Sequence, residues 1–150
     1  MAAFQYSLRF EMTIRKSNQL LTGTLRLLQG QTEQNAYTAT SSIAGRQYRD
    51  SWELKGGLIP PSEIYQVATV PLWMPDIKGV EGSFYAITPF EVQTPGAVRG
   101  DFGVHYDANV PGSMGCVVLS TQKGWDAFRR DVRSIMAQGV AYLPMVVKYS

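Results

Sequence analysis

With 150 residues, 45% hydrophobic and 17% charged, the chain has the size and composition of one ordinary globular domain spanning residues 1–150. A domain of that length buries roughly two-thirds of the surface its unfolded chain exposes, so a core forms without disulfides or metals. The 14 basic and 12 acidic residues leave a formal charge of only +2, and the single cysteine, Cys116, excludes an intramolecular disulfide framework.

The chain opens on an alternation of Phe4, Tyr6, Leu8 and Phe10 with Gln5, Ser7, Arg9 and Glu11, which predicts a strand with one buried face. A second strand is expected through Leu20, Thr22, Thr24 and Leu25–Leu28, ending at Gly30. A third runs from Ala36 to Ser41 and stops at Ala44-Gly45. The stretch Gly56–Glu63, with Gly56-Gly57 and Pro60-Pro61, reads as a structured turn, because paired prolines do not fit a central strand. Short strands are then expected over Ile64–Val70, Ser83–Thr88, Phe102–Tyr106 and Cys116–Leu119. From Gln122 to Gln138, Trp125, Phe128, Val132, Ile135 and Met136 recur at helical spacing. Ser120 or Thr121 suits the N-cap, and Gly139 suits the position past the end. Val140–Tyr149 reads as a closing strand in which Pro144 marks an edge or a bulge. The expected architecture is mainly β, with one C-terminal amphipathic helix.

No segment reaches the ~18 uninterrupted apolar residues of a membrane helix, so no membrane insertion is expected. The N-terminus lacks a basic stretch followed by an apolar run, so no signal peptide is expected either. The protein would be made in the cytoplasm. It would act on a cell wall or in the periplasm only if phage, lysis or a secretion system delivered it. Arg129 and Arg130 with Arg133 are the nearest approach to a basic stripe and read as the solvated face of the helix, so no nucleic-acid partner is expected.

Chemistry concentrates in Arg99-Gly-Asp-Phe-Gly-Val-His-Tyr-Asp-Ala-Asn-Val-Pro-Gly-Ser-Met-Gly-Cys-Val-Val-Leu, which holds the chain's only histidine and only cysteine. A lone thiol is either a small buried hydrophobe or a reactive group. Here His105 and Cys116 each adjoin an expected strand, with Val110-Pro111-Gly112 as a turn between them. A thiol and an imidazole are the minimum nucleophile–base unit. Gly115 leaves the approach to the sulfur open and frees backbone N–H groups for an oxyanion. Ser113 can hydrogen-bond within the loop. Asp107 and Asn109 can orient the imidazole, although turn formation is their commoner purpose. One cysteine and one histidine do not make a structural zinc site, so neither metal nor other cofactor is expected.

His105 followed by Ser113-Met114-Gly115-Cys116-Val117 resembles the active-site signature of L,D-transpeptidases with the YkuD-type catalytic fold. The upstream Gly57-Leu-Ile-Pro-Pro-Ser-Glu-Ile-Tyr is similar to the Gly-x-Ile-Pro-x-Gly-x-Tyr element of a compact group of relatives, small interbacterial effectors and phage-associated proteins. In that group the element precedes an Arg-x-x-Phe-x-[Ile/Val]-His strand, matched here by Arg99–His105. The likeness covers roughly Gly56 to Leu119. It implies a YkuD-like β-sandwich or barrel-like domain acting on peptidoglycan stem peptides, with Cys116 forming a thioester. It further implies His105 as base, the Tyr106 carbonyl orienting the ring, and the N–H groups of Gly115 and Cys116 lining the oxyanion site. Arg99, Asn109 and Met114 would meet the substrate, Arg99 through a substrate carboxylate unless it forms a surface ion pair with Asp101 or another acid.

The sequence departs from the family in three ways. Met114 stands where many members have histidine, Val118 stands where many have arginine, and the spacer after the histidine is short. Transpeptidase and carboxypeptidase activities remain alternatives. So do a non-catalytic wall-binding or structural component of a phage particle or injection device, partnered by phage or secretion-system proteins, and a cysteine peptidase acting on ordinary L-peptides. Trp52 and Trp73 line either a groove or the core, with partial core burial the expectation. Trp125 belongs to the helical stripe.

Overall fold

The computed structural model describes residues 5–108 and 111–150. Phe4 of the opening alternation lies outside them. The elements in chain order are β1 (Tyr6–Met12), β2 (Gly23–Gln29), β3 (Thr32–Thr40), β4 (Ser62–Ala68), β5 (Leu72–Met74) and β6 (Gly82–Thr88). There follow β7 (Glu91–Gln93), β8 (Val98–Gly100), β9 (Gly103–Tyr106), β10 (Val117–Leu119), α1 (Gln122–Ala137) and β11 (Tyr142–Tyr149).

The chain is mainly β with one α-helix among the described residues, and its sheet is barrel-like. Hydrogen-bonded neighbours run β4-β11-β1-β2-β3-β10-β9-β6, and a further pairing of β4 with β6 closes the ring. Strand β5 is appended to β6 as an outlying hairpin partner, and β7 with β8 forms a separate two-stranded ribbon. Two of the ring contacts are parallel, β1 with β11 and β9 with β10; the others are antiparallel.

The registers set the core. Side chains alternate between the two faces of a strand, so each registered pair passes the inward face to the next strand. Leu8 faces Leu27, Phe10 faces Leu25, and Leu25 faces Tyr37. Ala39 then faces Leu119, Val117 faces Val104, and Val104 faces Tyr85. Ile87, Val67 and Leu143 complete the circuit, and all these side chains are buried.

Helix α1 begins just after β10, where the Thr121 hydroxyl accepts the Gly124 N–H at 3.0 Å as the N-cap. Its stripe of Trp125, Phe128, Val132 and Ile135 is buried. Phe128 packs edge-on against Tyr37 and Tyr85, with centroids 5.4 and 5.3 Å apart, and Trp125 stacks near Tyr106 at 6.4 Å. The helix therefore covers the inward side of β3, β6 and β9.

Several expectations need correction. Met136 is 37% exposed rather than part of the stripe, because the buried positions end on Ile135. Strand β3 starts at Thr32, since the tight turn at Gly30 (φ +61°) already pairs Thr32 with Gln29; Leu20 and Thr22 precede β2 without joining it. Strands β5, β7 and β8 have three residues each, too few to register as an alternation. Pro144 is not on an edge: β11 lies between β4 and β1, and a register shift follows between Met145 and Val147. The missing proline N–H is accommodated where the ladder is already irregular. Trp73 is 73% exposed, on the outlying β5, whereas Trp52 is half-buried and stacks on Tyr149 at 5.6 Å.

Replacing Phe128, fully buried among three aromatic rings, by Ala should cost about 3–5 kcal/mol by the usual price of an emptied aromatic site. Met136→Ala should cost less than about 1 kcal/mol. Denaturant titration of the two variants checks the assignment of the stripe.

Candidate active site

Parallel pairing of β9 with β10 sets His105 opposite Val118, and Val117 opposite Val104. Val104 and Val117 point inward, so His105 and Val118 belong to the outer face of the ring. Continuing the register back by one residue brings Cys116 alongside Gly103 on that same outer face. His105 on β9 and Cys116, the residue that leads into β10, thus share the outer face of the ring, away from α1.

Their surroundings come from loops that cover this face. His105 is only 5% exposed. Phe84, on β6, stacks on its ring with centroids 5.8 Å apart. A Cβ on Gly103 would run into the Phe84 ring, so glycine at that position lets Phe84 lie across the strand beside Cys116. His105 Nδ1 lies 2.9 Å from the Tyr106 carbonyl oxygen. A carbonyl only accepts, so Nδ1 carries the proton and Nε2 is left with the lone pair.

Ser113 is the hub of the Cys116 loop. Its hydroxyl donates to the Cys116 carbonyl at 2.7 Å and accepts the N–H groups of Ser42 and Gly115, both at 3.2 Å. The Ser113 N–H returns to the Ser42 carbonyl at 2.8 Å. Ser41, fully buried, donates to the Gly115 carbonyl at 3.1 Å and accepts the Ile59 N–H at 2.9 Å. The segment after β3 is thereby laced to both the Cys116 loop and the proline-rich turn. Gly115 adopts φ +120°, a region closed to most side chains, and a Cβ there would crowd Arg99 and Phe102.

The remaining candidates are placed as follows. Asp107 accepts the Gly112 N–H at 2.9 Å, the turn-forming role of its side chain. Met114 is 64% exposed beside the loop. Asn109 lies outside the described residues. Arg99 is not on the surface: it is 6% exposed, forms no ion pair among the described residues, and gives its terminal N–H groups to backbone carbonyls of Trp52, Gly57, Leu58 and Met114. A side chain so engaged has no open fork for a substrate carboxylate. The Gly115 N–H, already given to Ser113, is likewise engaged in this state.

Ser41, Ser42, Phe84 and Gly103 complete the site and were not among the residues singled out from the sequence. The run Thr40-Ser41-Ser42 at the end of β3 is the signal for the hydroxyls; nothing local marks Phe84 or Gly103, which reach the site through pairing across β6 and β9.

Cys116 is half-buried. Its sulfur lies 3.9 Å from the Asp101 carbonyl, and no hydrogen bond joins it to the imidazole among the described residues. Burial pushes the thiol up to about 11, the Gly103 N–H and the Arg99 charge opposing that rise. Burial also lowers the His105 imidazole below its ordinary value, against the pull of the Tyr106 carbonyl. Both shifts favour the uncharged forms. The resting pair is therefore thiol and neutral imidazole, not thiolate and imidazolium. Among the described residues no group of three histidine, cysteine or acidic side chains is gathered where it could hold a metal ion, and no helix is long and apolar enough to cross a membrane.

Comparison with protein-family models, with curated proteins and with solved structures found no match to this chain.

The rate of Cys116 alkylation by iodoacetamide tests the charge state. Only thiolate reacts, and a raised thiol leaves little of it at neutral pH. The rate should therefore keep climbing tenfold per pH unit through pH 9, towards a midpoint near 11. A plateau reached by pH 7 would show a thiolate–imidazolium pair instead.

Proposed function

We propose that this protein is a cysteine acyltransferase of the L,D-transpeptidase type, with a YkuD-like domain acting on peptidoglycan stem peptides. The observation that carries the reading is the parallel pairing of β9 with β10, which sets the only histidine and the only cysteine, the residue leading into β10, on one face. The histidine there has its Nδ1 proton committed to a backbone carbonyl. That arrangement supports the motif likeness of His105 and Ser113–Val117.

In this reading Nε2 of His105 takes the Cys116 thiol proton as the sulfur attacks the acyl carbonyl beside a D-centre. The tetrahedral oxyanion is met by the Cys116 N–H. Collapse forms the thioester, and the terminal D-amino acid leaves with the proton held by His105. An amine then resolves the thioester to a cross-link or exchanged residue, and water resolves it to a carboxypeptidase product. Starting from a neutral pair, proton transfer accompanies attack, so His105 works as a general base. Ser113 and Ser41 hold the loop, and Tyr106 supplies the carbonyl that sets the imidazole tautomer.

The long contact of the sulfur and the upward shift of its thiol, which leaves little thiolate at neutral pH, favour a second reading, in which the fold serves as a wall-binding or structural component of a phage particle or injection device without turnover.

Whole-protein mass spectrometry after incubation with a carbapenem separates the two. The enzymatic reading requires a covalent adduct on wild type and none on Cys116→Ala, followed by conversion of muropeptides. Absence of both adduct and muropeptide conversion supports the non-catalytic reading. For an active enzyme the sign of the pH dependence follows from His105. Burial keeps the imidazole neutral to below 6.5, so kcat/KM should hold on acidification to that pH and fall only beneath it. An acidic limb with its midpoint above pH 7 would contradict His105 as the base.

A further inference from the structure

We propose that Arg99 is the positioning residue of the Cys116 loop: its buried guanidinium ties the turn at residues 52–58 to Met114 and sets a fixed positive charge beside the cysteine. The inference rests on Cys116 being the nucleophile, and it assigns Arg99 a role other than binding substrate.

The geometry is specific. Nη1 donates to the carbonyls of Trp52 at 2.6 Å and Leu58 at 3.0 Å. Nη2 donates to Gly57 at 3.0 Å and, more distantly, to Met114 at 3.5 Å. Three of these acceptors belong to one turn, and the fourth is two residues before Cys116. The guanidinium also lies over the Phe102 ring, 5.4 Å from its centroid, at the entrance to β9. One side chain therefore spans the proline-rich turn, the Cys116 loop and the strand that carries His105.

Its own strand, β8, belongs to the ribbon outside the closed ring. The side chain ties that ribbon to the turn at residues 52–58 and to the Cys116 loop. A buried guanidinium without a carboxylate partner is costly unless its N–H groups are satisfied and its charge is used. Here carbonyl dipoles satisfy the donors without neutralising the charge. The guanidinium keeps its positive charge and acts through space on an anion forming on the sulfur.

Gly115 fits this arrangement. At φ +120° it brings its backbone against the guanidinium, and a Cβ would approach Nη2 to 2.5 Å. Only glycine permits such proximity between the arginine and the residue preceding the nucleophile.

The test compares Arg99→Gln, which keeps donors but removes the charge, with Arg99→Lys, which keeps the charge. Iodoacetamide alkylation of Cys116 is read at pH 9, below the thiol midpoint, where rate follows the thiolate fraction. Folding is verified by circular dichroism and melting temperature. The proposal expects Arg99→Gln to react roughly tenfold more slowly than wild type, equivalent to a thiol raised by about one pH unit. Arg99→Lys should stay within about threefold of wild type. Carbapenem acylation should fall in the same order. A role confined to stability would lower both melting temperatures and leave alkylation unslowed. Alkylation of Arg99→Gln within twofold of wild type, equal slowing of both variants, or failure of both to fold would each overturn the proposal. If wild type forms no carbapenem adduct, the enzymatic reading falls, while alkylation still decides whether Arg99 biases the thiol.

Discussion

Parallel pairing of β9 with β10 is the constraint on which the rest of the site depends. Parallel neighbours require the chain to return to the starting end of the first strand before the second begins. Residues 107–116 make that return, and they end on Cys116, level with Gly103 and two positions from the level of His105. Val104, Val117 and Leu119 commit the opposite faces of both strands to the core. A one-residue slip would turn those apolar side chains outward, so hydrophobic burial holds the register. The same burial that stabilises the barrel thus specifies which face carries the thiol and the imidazole.

The outer face that carries His105 and Cys116 is covered mostly by polar groups. Ser41, Ser42 and Ser113 exchange hydrogen bonds with the backbone of three segments, and Arg99 bonds four carbonyls. Buried polar groups of this kind are stabilising only when their partners are complete. Among the described residues one buried side-chain atom lacks a partner, the Ser120 hydroxyl at the end of β10, away from the loop hub. Through that network Ser113, Gly115 and Cys116 are each joined to a named hydrogen-bond partner.

Burial pulls the two titrating groups in opposite directions on the pH scale. It raises the thiol and lowers the imidazole, and each shift favours the neutral form. At rest the pair is therefore a thiol beside a neutral imidazole. The Gly103 N–H and the Arg99 charge act against the rise of the thiol, which makes them the levers for tuning reactivity without moving the sulfur.

Local pattern determined a good deal about this chain. The alternation of Leu8 and Phe10 with Arg9 and Glu11, the spacing of Trp125, Phe128, Val132 and Ile135, the threonine cap and the closing Gly139 are each short-range features, and short-range sterics and burial decide them. The closeness in sequence of one histidine and one cysteine was legible for the same reason, although no hydrogen bond joins the two side chains among the described residues. Tertiary structure alone decided ring closure through β4 and β6, the interior position of the strand holding Pro144, and the exposure of Trp73. It alone decided the place of Phe84, brought to His105 from another strand, and the fate of Arg99, whose guanidinium meets carbonyls more than 40 positions away in sequence. Those outcomes depend on which strand edges find each other and on which distant carbonyls need a donor. Both are settled by the energy of the assembled barrel, and no window of sequence contains both partners.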